Sequence, residues 1–188
     1  MTEERRRWID LLENKGACYE GIDWVAGASG SPERLFNTCP NGLHRMWLAQ
    51  TIGVPKVKIV AALCACLELG RKFVPPGDSV FSKGIAVLRR CARHSVSRAR
   101  VNRVSALVIE RIIAAPVASE VELVYAALAD VLQDTCVHGE LSLIDTDACL
   151  VDLSDLLGEK GDRILAKEIR KHIAWSDVQR AAKSQLPK

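Results

Sequence analysis

Aromatic side chains are scarce in this 188-residue chain, at 5% of the total, and none falls between Arg89 and Arg111. That basic stretch therefore lacks the stacking platforms on which single-stranded nucleic acid is held. Long apolar runs are missing as well. The longest strongly apolar, uncharged run is Ile59 to Leu67, nine residues, where a membrane span needs about 20. No positively charged segment followed by an apolar stretch opens the chain, so the expectation is a cytoplasmic protein with no membrane association. H-E-x-x-H, G-x-S-x-G, the P-loop and G-x-G-x-x-G are all absent, so the chemistries borne by those motifs have no foothold. Strand-type alternation is nearly absent too, and Lys and Arg vanish altogether from Ile112 to Glu159.

What is present is a foldable, helix-rich composition. Apolar residues make 48% and the net charge is only +3, which excludes disorder as the dominant state. At this length a chain buries roughly 70% of its unfolded surface and needs no disulfide staples. Trp8, Leu11 and Leu12 at i, i+3, i+4 predict a helix over 3–14. A second covers about 17–26. Ser31-Pro32-Glu33 is a start signal, with a serine cap and proline at the first helical position. Residues 43–52, then a central helix over 55–73, follow before Pro75-Pro76-Gly77 breaks the pattern. Helices are expected over 79–94, over 98–115 capped by Ser97, and from the Ser119-Glu122 capping box to about Thr135. Three more cover 145–157, 161–173 and 176–185, the last capped by Ser176. The loops are short and no linker is visible. The expected fold is one all-α, compact domain of eight to ten helices spanning 1–188.

Charge is strongly segregated along this frame. Between Arg89 and Arg111 stand seven arginines against one acid, Glu110, whereas 112–159 carries ten acids and no base. Arginine is suited to bidentate contact with phosphate or carboxylate, and a long acidic surface steers a basic partner. Alternatively, the two segments lie side by side and neutralise each other. The candidate partner-binding residues are Arg93, Arg100 and Arg103 at the basic pole and Asp130 and Asp134 at the acidic pole. On one helix Arg100, Arg103 and Arg111 share a face.

Seven cysteines (18, 39, 64, 66, 91, 136 and 149) without a signal sequence read as free thiols. Cys64-Ala65-Cys66 on a helix points its sulfurs about 200° apart, a poor grip for one metal. Asp145, Asp147 and Asp152 lack calcium-loop spacing. The four histidines (44, 94, 138 and 172) are isolated, although a Cys–His pair is assembled in space rather than in sequence. No metal, cofactor or catalytic residue is expected.

Several local patterns nevertheless run together. Trp8-x-x-Leu11-Leu12 precedes Ala17-Cys18 and Trp24; Cys39-x-x-Gly42 leads to Trp47-Leu48-Ala49 and Gly53-Val54. Ala61-Ala62-Leu63-Cys64-Ala65-Cys66 and Val74-Pro75 follow, and Ile169-Arg170-Lys171-His172-Ile173-x-Trp175-x-x-Val178 stands near the end. The chain thereby resembles an immunity protein family, the Imm-5-like helical proteins often encoded in bacteriophages and prophages. The likeness covers about the first 80 and last 25 residues; the middle, 89–159, departs from the Ala-rich stretch common in relatives. It implies a non-enzymatic inhibitor-type protein of phage or mobile-element origin that neutralises or modulates a bacterial protein such as a toxin, nuclease or defence protein. A homodimer pairing basic and acidic poles is a further expectation. The alternative expectation is a nucleic-acid-associated phage protein gripping phosphates through Arg89–Arg111.

Overall fold

The computed structural model describes residues 2–94, 96–133, 135, 136, 143–183 and 185, with 143–146 described by their backbone alone. The helices are α1 (Glu3–Asn14), α2 (Tyr19–Gly27), α3 (Pro32–Thr38), α4 (Gly42–Thr51), α5 (Lys56–Leu69), α6 (Ser79–Arg93), α7 (Arg98–Ala114), α8 (Glu120–Gln133), α9 (Leu143–Leu157), α10 (Gly161–His172) and α11 (Trp175–Ala182). Short 3-10 turns follow α5 (Gly70–Phe73) and α9 (Gly158–Lys160). The described residues contain no strand, so the all-α fold is as the apolar periodicity predicts. None of the described helices is long and apolar enough to cross a membrane.

Helix starts follow the capping chemistry. Thr2, Ser31, Asn41 and Asp78 each accept a hydrogen bond from a backbone N–H in the turn that follows, satisfying donors that no helical carbonyl reaches. Ser119 accepts from the Glu122 N–H at 3.2 Å, and the Glu122 carboxylate reaches back to the Ala118 N–H. Two expected caps differ. Ser97 makes no side-chain cap bond. Ser176 lies inside α11, whose start is held by Asp177 accepting from the Ala174 N–H at 3.1 Å. The predicted helix over 55–73 is α up to Leu69 and tightens into the 3-10 turn at Gly70.

α5 is the hub. Its Ile59, Val60, Ala62, Leu63, Cys64, Cys66 and Leu67 are all within 1% of full burial, and it packs against α4, α6, α8, α9 and α10. Small residues permit this. Burying each Leu or Ile removes roughly 1.5–3 kcal/mol of unfavourable hydration. α8 is wedged between α7 and α9, and at the α6–α8 crossing Gly84 lies so close to Leu128 that an added methyl would meet its Cδ2 at 2.7 Å. The chain ends are tied in by long-range polar contacts. Lys58 Nζ lies 2.6 Å from the buried Asp177 carboxylate, and Gln185 donates to the Ile52 carbonyl at 2.9 Å. α11 thereby brings Trp175 against α1 and α3, with ring centroids 5.0 Å from Trp8 and 5.8 Å from Phe36.

Candidate functional site

The arginine block divides into structural and unengaged members. Arg111 is not part of an open basic face: its guanidinium is bonded to the Asp78 carboxylate at the start of α6. Arg89 lies 3.8 Å from Glu68, which also holds Arg71. Arg93, Arg100 and Arg103 are exposed, and none makes an ion pair among the described residues. On the acidic side, Asp130 is half-buried on α8 and is engaged within the protein. Asp134 lies outside the described residues. The basic α7 does pack beside the acid-rich α8, so the two charged segments are neighbours in space.

α7 carries a second feature that charge alone does not reveal. Ile109 is 50% exposed, Ile113 79% and Val117, in the turn beyond it, 92%. Ile109 and Ile113 are four apart and fall on one outer face with Asn102 and Ala106, while Val101, Val104 and Val108 fill the core behind. At 100° per residue Arg103 stands about 80° and Arg100 about 140° round the helix from Ile113, with the exposed Glu110 between Arg103 and Ile113, so the arginines flank the apolar face and do not share it. Arg103 and Ile113 are separated by about 15 Å along the axis. The turn carrying Val117 is held by Ala118 in the left-handed region (φ 56°) and by the Ser119 N–H bonding to the Pro116 carbonyl at 3.1 Å.

A different site lies at the opposite end of the sequence. A cavity of about 290 Å³ opens among α1–α4, and all four tryptophans of the chain (Trp8, Trp24, Trp47 and Trp175) line it together with Phe36. Its polar groups are few. Cys18, at the start of α2, places Sγ 3.5 Å from His44 Nε2 on α4. Gly21, in the first turn of α2, lies beside that pair: a methyl there would be in ordinary contact with the Cys18 sulfur, at 3.4 Å. Asp147 contributes from α9, its Oδ1 buried with no hydrogen-bond partner among the described residues. Burial pushes the Asp147 carboxyl up, and the charge of His44 opposes this.

Two arginines frame the cavity. Arg5 donates from α1 through Nε and Nη2 to the Val25 and Ala26 carbonyls. Arg45 is 3% exposed. It donates to the Cys39 carbonyl through Nε and Nη2, at 2.9 and 2.8 Å, and stands over the Phe36 ring. Its Nη1 is buried without a hydrogen-bond partner among the described residues, and burial draws its pKa down.

The sequence places Trp8 on a helix face and presents the cysteines as free thiols and the histidines as isolated; their convergence rests on contacts between distant segments. Cys64, Cys66 and Cys149 do sit in the core, where burial raises all three thiols, Cys64 to about 11. No family model, no curated protein and no solved structure matches this chain.

Proposed function

We propose that the protein works by binding another protein, in the manner of a small immunity or inhibitor protein, and that the outer face of α7 is its docking surface. The observation that carries this reading is the exposure of Ile109 and Ile113 on one face of α7 and of Val117 in the turn beyond it, with Arg100 and Arg103, which make no ion pair among the described residues, on the flank of the same helix. Large apolar side chains exposed in a contiguous row, flanked by polar groups, mark interaction sites. An apolar stripe with arginines on its flank fits a partner that pairs an apolar groove with carboxylates beside it. Such a match adds specificity and on-rate to what apolar burial supplies. The partner is therefore an acidic protein surface, and the role is non-enzymatic. Arg93 adds a further arginine from the end of α6.

The test is affinity capture from bacterial lysate with and without nuclease, run in parallel for the wild-type chain and for Arg100→Glu/Arg103→Glu and Ile113→Glu. A stoichiometric protein that survives nuclease and is lost from both variants supports the reading. All three positions are exposed, so the variants are expected to keep the wild-type melting temperature within about 2 °C. Equal capture by all three proteins removes α7 as the interface.

The alternative is phosphate binding. A groove lined by Arg163, Lys167 and Arg170, with Arg45 behind and no acid in its lining, favours it. It predicts nucleic acid in the captured material and an affinity whose log–log salt slope is about one per phosphate contacted.

A further inference from the structure

We propose that the tryptophan-lined cavity among α1–α4 is a binding site for a small, neutral, flat aromatic molecule that carries one N–H or O–H donor. Two observations converge on it. The first is shape and chemistry of the wall. All four tryptophans and Phe36 surround about 290 Å³. A dry apolar cavity about half that size holds benzene, so this one suits a bicyclic ring of roughly nine to twelve heavy atoms. Aromatic walls favour offset or edge contacts with such a ring.

The second observation is an acceptor without a donor. Asp147 Oδ1 is buried in the lining with no hydrogen-bond partner among the described residues. Native proteins seldom leave such a group unpaired, and a ligand N–H or O–H would complete it. Beside it the Cys18–His44 pair offers a second polar contact at the same wall. Arg5 donates from α1 to the α2 carbonyls through Nε and Nη2 and holds the wall in place. The arrangement of apolar rings with a small number of convergent polar groups is that of a preformed ligand site. This site is separate from the α7 face and stands whether or not a protein docks there.

The experiment uses the full chain and two probes of equal size, indole and benzofuran, titrated calorimetrically. Benzofuran has the same shape and no N–H. Indole is expected to bind saturably at one site, about tenfold more tightly than benzofuran, the difference expected of one hydrogen bond to a buried carboxylate. Asp147→Ala should erase that preference, leaving the two probes equal. Ala17→Phe, which fills the cavity from its half-buried rim, should abolish binding of both. In nitrogen-resolved NMR, the indole N–H signals of the protein's tryptophans should move on titration in the wild type and stay fixed in Ala17→Phe. Circular dichroism and melting confirm that each variant is folded. Absence of saturable indole binding to the wild-type protein overturns the proposal. So does unchanged indole affinity in a folded Ala17→Phe, or a preference for indole that survives Asp147→Ala.

Discussion

Among the seven cysteines, the environment of each side chain sets its chemistry. Cys18 is exposed, stands at the N-cap of α2 without making a side-chain capping bond, and has His44 Nε2 within 3.5 Å. Its sulfur is therefore open to an alkylating reagent, which the buried thiols are not. Cys39, Cys64, Cys66 and Cys149 are buried, and desolvation raises each of them. Cys136 is half-buried and likewise raised by burial, reinforced by its neighbour Cys91. Brief exposure to iodoacetamide followed by peptide mass spectrometry should therefore mark Cys18 first, at least about tenfold ahead of the buried thiols. Labelling of Cys66 or Cys149 at a comparable rate would mean that the core opens, and would contradict this assignment.

At the scale of elements, glycines decide how closely helices approach. The α9–α10 junction needs one at 161, where an added methyl would lie 2.1 Å from the Ser154 carbonyl oxygen. Backbone cannot swing aside as a side chain can, so Gly161→Ala forces the two helices apart. A loss of about 1–3 kcal/mol in denaturant unfolding is expected, as for other overpacked sites. Gly27, with nothing within 4 Å and no left-handed backbone, is the control. Gly27→Ala should be neutral or stabilising by up to about 1 kcal/mol, through the unfolded state. Equal effects at the two positions would show that packing at the junction is looser than the geometry indicates.

The same scale separates what the residues disclose in order from what they disclose only when folded. Helices over 3–14 and 79–94 are legible because capping side chains and apolar spacing act within a few residues. The cap of α11 was misread because Ser176 is a good capping residue by type, whereas Asp177 takes the role through a bond that Lys58, 119 positions away, helps to hold. Arg111 reads as one more member of a basic run until Asp78, from another helix, claims it. The cavity was illegible for the same reason: Trp8 and Trp175 touch only because α11 folds back onto α1. The stripe on α7 falls between these cases. Its Ile109 and Ile113 match a helical period, but which face meets water depends on α6 and α8 packing behind it.

For the whole molecule, the titrating groups bound a pH window, and the signs differ at its two ends. Burial alone would raise Asp78 and Asp177. The Val80 N–H and Arg111 outweigh it at the first, and Lys58 with the Ala174 N–H at the second, so both carboxyls are held below their ordinary value. Their stabilisation is present above the unfolded-state value near 3.9 and is lost as pH falls through the lower, folded-state values. Asp147 and Asp152 are raised, mainly by burial. Each costs stability at neutral pH, and that cost is relieved as pH falls from the raised value toward about 3.9. Stability should therefore rise slightly on mild acidification and then drop below about pH 4. At the alkaline end the buried thiols act together. Cys39, Cys64, Cys66, Cys136 and Cys149 all have folded-state values above the ordinary 9.0. Unfolded thiols release protons that the folded ones retain, so stability is lost as pH climbs past about 9. Denaturant midpoints measured across the range test both limbs. Asp177→Asn should lower stability at neutral pH and flatten the acid limb, and Cys149→Ala should make the alkaline limb shallower. An alkaline decline that begins only near the lysine range, about pH 10 or higher, would show that the buried thiols do not govern it.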